Sequence, residues 1–288
     1  MTQPLRGKRQ SDSAHHAVDR EEHIAAFEQN YSLLRATTVT HAQIKGNSAV
    51  FLVAGSGGAT AVTRGSNGLI PYGNVSNTQY TCTLEEFHAP FEQTGFNIFA
   101  SQGDQKRIMQ MASVAVLNRN IDQKIIDQLD TATQDTGTSA TASVAMVAKS
   151  KAILGNAEVD ITDEENLFGL ISPAFEAYLM QTPEFANSQY VDVKVFTSKT
   201  KRMRRWFGIN WMIHPNLTGV GTNTEKCYLY HRNAIGHAAN SKEMDVEVDY
   251  DKKQAISWSR ATLYHGSKLL QNTGVVQMKH DGSAYVAS

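Results

Sequence analysis

Cysteine is almost absent from this chain, and its scarcity limits the chemistry that the chain can support. Only two of the 288 residues, Cys82 and Cys227, are cysteines. They lie far apart, and neither has a second Cys or a His nearby at the spacing of a zinc site. The sequence therefore predicts no metal site, and it fits a protein of a reducing compartment.

An excess of charge of either sign is also missing. The chain has 27 Lys and Arg against 28 Asp and Glu, so no overall field draws it to nucleic acid or to an anionic lipid surface. No window is apolar enough to span a membrane, and the basic N-terminus MTQPLRGKRQ is not followed by the apolar segment of a secretory signal. We therefore expect no membrane partner.

Recognisable catalytic motifs are lacking as well. Neither Gly-x-Ser-x-Gly nor His-Glu-x-x-His occurs. The glycine-rich stretch Gly55–Thr60 begins like a dinucleotide fingerprint, but its last glycine is replaced by threonine and no helical pattern follows. Three scattered histidines, His231, His237 and His265, either meet in space or are ordinary surface or interface residues, and we favour the second reading. The sequence thus predicts no catalytic residue and no cofactor.

The strongest positive signal is a long helix over residues 105–130. Neither Pro nor Gly interrupts it, and at 1.5 Å per residue it would be roughly 40 Å long. Ser101 and Asp104 form a capping pattern before it. Its N-terminal half is apolar nearly all round, which predicts deeper coverage there than in the C-terminal half. One apolar stripe at three- and four-residue spacing consists of Val114, Leu117, Ile121, Ile125 and Leu129.

Two segments carry apolar residues but have no core of their own. Residues 17–34 are predicted to form a short amphipathic helix, whose apolar face has to pack against another surface. Residues 46–90 read as two strands, 49–54 and 80–84, joined by a long stretch rich in Gly, Ser, Asn and Thr. Long loops without a core are uncommon inside compact domains and usually bind a ligand or a partner.

The remaining pattern mixes helices and strands, which predicts an α+β fold. Ser172-Pro173 is a helix cap followed by proline at the first helical position. Gly155 is expected to end the predicted helix 143–154. The predicted helices are 143–154, 173–179 and 233–240, and the predicted strands are 167–171, 191–195, 206–213, 227–230, 245–250, 255–264 and 275–279.

One concentrated run of positive charge stands out. Such a run is either a solvated face or a surface that meets DNA or a neighbouring subunit. In an extended chain alternate residues share a face, so the run would present its charges on two opposite sides. It consists of Lys199, Lys201 and Arg205 on one side and of Arg202 and Arg204 on the other.

The order of these elements, together with four local segments, resembles the major capsid protein of tailed bacteriophages. The resemblance extends over essentially the whole chain, although each segment alone is degenerate. The four segments are Thr162–Pro173 (TDEENLFGLISP), Arg205–Asn210 (RWFGIN), Cys227–Gly236 (CYLYHRNAIG) and Tyr264–Leu270 (YHGSKLL).

The resemblance implies a division of the chain into the parts of that fold. The long helix would be the spine helix of a peripheral domain, and a second, axial domain would pack round the centre of each capsomer. The implied boundaries are 1–45 for the N-arm, 46–90 for the E-loop, 91–136 for the peripheral domain with its spine helix, 137–244 for mainly the axial domain and 245–288 for a return to the peripheral sheet.

The function implied by the resemblance is structural. Many copies would assemble in the host cytoplasm into the icosahedral shell of a virion that encloses packaged double-stranded DNA. The implied partners are the chain itself, DNA bound without sequence preference, a portal, a decoration protein and a separate scaffolding protein, because relatives that scaffold themselves carry a larger N-terminal domain. Two alternatives remain open: an encapsulin-like shell of a cellular compartment, and a soluble α/β enzyme with an unrecognised site.

Some relatives join subunits by an isopeptide bond from a lysine near the tip of the E-loop. Here residues 46–90 contain no lysine, and their only Arg is Arg64, whose guanidinium stays protonated and is a poor nucleophile. We therefore expect closure by non-covalent contact. The apolar residues expected to make it are Leu69, Ile70, Pro71 and Tyr72.

Overall fold

The computed structural model describes residues 31–40, 43–56, 58–100, 105–183, 203–239 and 245–285. Helices and strands are mixed along this part of the chain, which confirms the α+β class. Its α-helices are α1 (Gly95–Ala100), α2 (Gln105–Leu129), α3 (Val144–Asn156) and α4 (Pro173–Gln181).

The long helix α2 confirms the strongest prediction from sequence. Leu117, Ile121 and Ile125 on its apolar stripe are fully buried, because this face packs on a sheet. The expectation for the N-terminal half is wrong within a single chain, since Ile108 and Met111 remain 39% and 53% exposed. An apolar pattern reports that a surface needs cover, but not which molecule provides it.

The sheet beneath α2 has four antiparallel strands, with the order β10-β11-β4 and with β9 paired to the far end of β11. The predicted helix 233–240 is wrong, because Arg232–Ala234 form a 3-10 turn and the next residues form β9. Pairing with β11 supplies hydrogen bonds that outweigh the local helical preference. The strands are β4 (Glu85–Thr94), β9 (Ile235–Ala239), β10 (Asp245–Asp251) and β11 (Ile256–Leu269).

A second sheet has five strands in the order β12-β8-β5-β7-β6. Every residue of the central strand β5 is buried, as its continuous apolar run predicts. The single strand predicted over 206–213 is instead a hairpin, which turns at Phe207 and Gly208 with φ of 56° and 70°. The strands are β5 (Leu167–Ile171), β6 (Arg204–Trp206), β7 (Ile209–Ile213), β8 (Glu225–His231) and β12 (Val275–His280).

The C-terminal strand β12 differs from expectation. We expected residues 245–288 to return to one sheet, but β12 pairs antiparallel with β8, whereas β10 and β11 belong to the other sheet. The end of the chain thereby links the two sheets.

Helix caps follow the predicted chemistry in one case and depart from it in another. The Ser172 side chain accepts a hydrogen bond from the backbone N–H of Phe175, with proline at the start of α4. Gly155 does not end α3, which continues to Asn156, and the left-handed residue after it is Glu158, with φ of 61°.

Other predicted features fall partly or wholly beyond the described residues. The cap formed by Ser101 and Asp104 and the strand 191–195 lie outside them. Of the helix predicted over 17–34, residues 31–34 are described and are not helical.

A third, three-stranded sheet contains a long hairpin. Its strands β1 (Gln43–Lys45), β2 (Ser48–Gly55) and β3 (Ser76–Thr83) pair in that order. The hairpin register runs from Ser48 opposite Thr83 to Gly55 opposite Ser76, which confirms the two strands that the sequence predicts in residues 46–90.

Candidate subunit-contact surfaces

The base of the β2–β3 hairpin is fixed to the rest of the chain by a small apolar cluster. Phe51 and Cys82 of the hairpin pack there with Ala238 of β9. Two glycines permit this close approach: a Cβ on Gly236 would lie 2.7 Å from the Phe51 ring, and one on Gly266 would lie 2.6 Å from the Thr83 carbonyl oxygen. The hairpin is thus anchored at one end only.

The far end of the hairpin is held mainly by its own backbone. The Gly65 N–H donates to the Leu69 carbonyl at 2.9 Å, and the Leu69 N–H donates to Asn67 Oδ1 at 3.1 Å. Arg64 Nη1 donates to the Gly68 carbonyl at 3.1 Å, and Gly68 has φ of +76°. These contacts define a compact turn with polar support and no apolar core.

Apolar side chains at this tip are open to solvent. Tyr72 is 97% exposed, Leu69 67% and Ile70 51%, and Pro71 lies between them and is also exposed. Large apolar side chains clustered on a projecting element mark a surface that binds another molecule. The structure therefore brings the four residues singled out in the sequence to one exposed surface.

The segment after the N-terminus is tied to α2 by the buried Asp122 carboxylate. It accepts hydrogen bonds from Ser32 Oγ at 2.6 Å and from the backbone N–H groups of Leu33 and Leu34 at 3.0 and 3.1 Å. His214 Nε2 lies 3.4 Å away. Burial acts to raise the pKa of Asp122, but these donors together hold that pKa below its usual value. Sequence reasoning missed this contact, because Asp122 reads as an ordinary polar residue of an amphipathic helix.

The C-terminal end of α2 is joined to the five-stranded sheet by a second polar cluster. The Asp130 carboxylate accepts from Lys226 Nζ at 3.0 Å and from the Tyr228 hydroxyl at 2.5 Å. Gln277 Nε2 donates to the carbonyls of Asp130 and Ala132, both at 2.9 Å. These bonds satisfy carbonyl groups that every helix end leaves without partners. They also set the spacing between α2 and β8 and β12.

Part of the basic run lies on strand β6. Arg204 forms an ion pair with Glu176 of α4, and Arg205 Nη1 lies 3.4 Å from Glu164 Oε2. Arg205 also donates through Nε to Asn210 Oδ1 at 3.2 Å. The two neighbouring arginines therefore lie against different partners, while Lys199, Lys201 and Arg202 lie outside the described residues.

Two of the three scattered histidines do meet. The rings of His237 and His265 lie 5.5 Å apart, centroid to centroid, and both side chains are buried rather than on the surface. Burial, and then the neighbouring His265, lowers the pKa of His237 to about 3. Burial, and then Lys124, lowers the pKa of His265 to about 4. His231 stands apart, 4.0 Å from Asp163, so no three-histidine site forms.

The described residues contain no group of three or more His, Cys, Asp or Glu side chains that could hold a metal ion. No helix follows the glycines after β2, and the chain continues there as an irregular loop. A phosphate site of the dinucleotide type needs that helix N-terminus. None of the described helices is long and apolar enough to cross a membrane.

A family model described as "Phage capsid protein" matches residues 20–282. A search of curated proteins found no match.

Solved structures from phages and from a GTA particle share the architecture. Mycobacterium phage Che8 matches with 18% identity and a TM-score of 0.64, covering 81% of this chain and 85% of that chain. The capsid of Ralstonia phage GP4 matches with 8% identity and a TM-score of 0.67, over 92% and 95%. The capsid of a native GTA particle matches with 12% identity and a TM-score of 0.65, over 96% and 99%.

At such low identity the structural matches establish the fold, which is that of phage major capsid proteins. The family model adds the family itself, because it spans most of the chain. The chain therefore belongs to the phage capsid protein family and is a structural protein, the major capsid protein of a virion.

Proposed function

We propose that many copies of this chain assemble into an icosahedral shell that encloses packaged double-stranded DNA. The single observation that carries the proposal is the hairpin tip, whose apolar side chains project from the chain with no cover of their own. Exposed apolar side chains lower the entropy of the water around them. A neighbouring subunit that covers these side chains releases that water and is stabilised by doing so.

The hairpin, the E-loop of the proposed shell, closes on its neighbour without a covalent bond. No lysine occurs in residues 46–90, so the amine for an isopeptide bond is missing from the loop. Burial of one large apolar side chain contributes about 1.5–3 kcal/mol. Leu69, Ile70, Pro71 and Tyr72 can therefore supply several kcal/mol per subunit contact, repeated over the whole shell.

In this proposal the parts of the chain take the roles of the corresponding parts of a capsid protein. We assign residues 1–45 to the N-arm, residues 46–90 to the E-loop and the sheet under α2 to the peripheral domain. The five-stranded sheet belongs to the axial domain. The buried Asp122 contact supports the first assignment, because it fixes the point at which the N-arm leaves the peripheral domain.

The basic run has two functions in this proposal. Arg204 and Arg205 contact Glu176 and Glu164 of their own chain, so they stabilise the axial domain. Lys199, Lys201 and Arg202 are left to contact packaged DNA or a neighbouring subunit.

Other proteins complete the particle. A separate scaffolding protein directs assembly in the host cytoplasm, a portal occupies one vertex, and a decoration protein binds the outer surface.

Expression with and without the phage's other structural proteins tests the proposal. We expect particles of megadalton mass in sedimentation and closed shells in negative-stain micrographs when the scaffold is present. A chain that stays monomeric with the scaffold supplied contradicts shell assembly. Uniform shells of correct size from the chain alone contradict only the need for a scaffold.

A further inference from the structure

A small open pocket lies where residues 35–40, within the proposed N-arm, cross the turn before β9. Its volume is about 350 Å³, and two guanidinium groups, those of Arg35 and Arg232, line it together with Thr38, Thr40 and Asn233. No carboxylate is among the described residues that line it. Two cations on one concave surface without an anion repel each other and favour an anionic ligand.

The two arginines are held in different ways. Arg232 stacks on Phe168, with its Cζ 5.4 Å from the ring centroid, and its Nη2 donates weakly to the Ala36 carbonyl at 3.4 Å. Its Nε is buried and has no hydrogen-bond acceptor in the described structure. Arg35 is exposed, and its guanidinium has no described hydrogen bond or ion pair. The exposed Arg35 is therefore the cation with which a carboxylate entering the pocket would pair.

The chain carries a matching surface of opposite sign on the edge strand β10. Alternate residues of a strand share a face, and here the alternation places four carboxylates together. Within its own chain Glu247 pairs with Arg260 at 2.5 Å, and Asp251 accepts the turn N–H of Lys253 at 2.8 Å. Among the described residues no cation pairs with Asp245 or Asp249. The four residues are Asp245, Glu247, Asp249 and Asp251.

The pocket and the acidic strand cannot meet within one molecule. Both β9 and β10 pair with the same edge of β11, with Ile235 opposite Leu269 and Asp245 opposite Thr262. The seven residue-to-residue steps from Thr262 to Leu269 span roughly 23 Å at 3.3 Å per step. Asp249 lies opposite Trp258, which is farther still from the pocket. Side chains cannot bridge such a distance, so any pairing has to join different copies.

We propose that the Arg35–Arg232 pocket binds a carboxylate of Asp245 or Asp249 on strand β10 of a neighbouring copy. This inference rests on the proposed assembly of the chain into a shell. A contact between two different surfaces of identical subunits is head-to-tail, and repetition of it closes a ring when the rotation between subunits allows. The contact thus gives a direction to the packing of subunits, which the apolar hairpin tip alone does not supply. Charge complementarity of this kind mainly sets register and partner choice.

A charge exchange in the full-length chain, assembled with its scaffold, tests the proposal. Arg35→Glu is the better single variant, because Arg232 also packs on Phe168. We expect Arg35→Glu to lower shell yield about tenfold or more, since it places like charges across the contact. The double variant Asp245→Arg, Asp249→Arg should do the same. Combining all three changes should restore most of the yield.

The matched control is Glu247→Gln, which removes a carboxylate that is already paired within its own chain and should keep wild-type yield. Thermal melting of the unassembled chains checks that each variant folds. Normal shells from Arg35→Glu overturn the inference, as does a triple variant that assembles no better than its parents. Normal shells with reduced DNA content also overturn it, because they would show that the pocket binds phosphate. Failure of the wild-type chain to assemble contradicts the proposed function itself.

Discussion

Single residues in this protein determine how separate elements hold together. Asp122 is one of few fully buried carboxylates of the described chain, and its contacts come from two separate parts of the sequence, residues 32–34 and His214. A buried charge without partners is strongly unfavourable, so the carboxylate and its partners have to stay in contact in the folded chain. This residue therefore positions residues 32–34 against α2.

We predict that Asp122→Ala destabilises the unassembled chain by about 3–5 kcal/mol, because Ser32, Leu33, Leu34 and the buried His214 lose a fully buried carboxylate partner. Urea unfolding followed by circular dichroism measures the loss. Asp127→Ala is the matched control on the exposed side of the same helix and should change stability by no more than about 0.5 kcal/mol. Equal effects of the two substitutions would show that the buried network contributes nothing.

The buried pair His237 and His265 makes stability depend on pH. Their folded pKa values of about 3 and about 4 lie below the unfolded value of about 6.5. Between these limits the unfolded chain binds protons that the native chain does not, so acid favours unfolding.

We predict that the free energy of unfolding falls by up to about 1.4 kcal/mol per pH unit for each histidine as pH drops from about 6.5 to 4. His237→Asn should reduce this slope, because it removes one of the two groups whose pKa is shifted. Urea titrations of the unassembled chain at several pH values measure the slope. A slope that His237→Asn does not alter contradicts the account.

At the scale of elements, the hairpin and α2 differ in how they are stabilised. The helix is stabilised by its buried stripe, while the hairpin contributes few residues to the main core and depends on Phe51 and Cys82 at its base. Changes at the hairpin tip should therefore leave the folded chain intact and act only on contacts between chains.

We predict that replacing Leu69, Ile70 and Tyr72 together by Ser abolishes or strongly reduces shell formation, because the contact loses about 1.5–3 kcal/mol for each apolar side chain. The melting temperature of the unassembled chain should stay within experimental error. Sedimentation of assembly reactions gives the readout. Leu52→Ser is the control, since this exposed residue lies on the hairpin arm away from the tip. Wild-type yields from the triple variant would remove the tip from the proposed contact.

At the scale of the whole molecule, the absence of lysine from the hairpin means that the hairpin cannot supply the amine of an isopeptide bond. We predict that mature particles boiled in denaturant release a single band near the monomer mass of 31.7 kDa. The physical reason is that the loop offers no neutral amine for an isopeptide bond, and arginine does not substitute for one. Electrophoresis under reducing conditions makes the measurement. A ladder of oligomers that survives reduction would refute non-covalent closure.

Features that depend on neighbours along the chain could be predicted from the sequence. The apolar spacing of α2 predicted its start at Gln105 and its end within one residue. The continuous apolar run of β5 and the Ser172-Pro173 cap likewise predicted a buried strand and the helix after it. In each case the physical cause is side-chain periodicity or a hydrogen bond within four residues. Both depend only on residues that are close together along the chain.

Features that depend on distant residues required the tertiary structure. Residues 235–239 form a strand because β11 pairs with them, and β12 lies beside β8 although β10 and β11 precede it along the chain. The contact of Asp122 with Ser32 crosses 90 positions of sequence, and the pocket between Arg35 and Arg232 joins residues nearly 200 positions apart. Local propensity carries no information on such pairs, because sheet pairing and burial are decided by which segments the whole chain brings together.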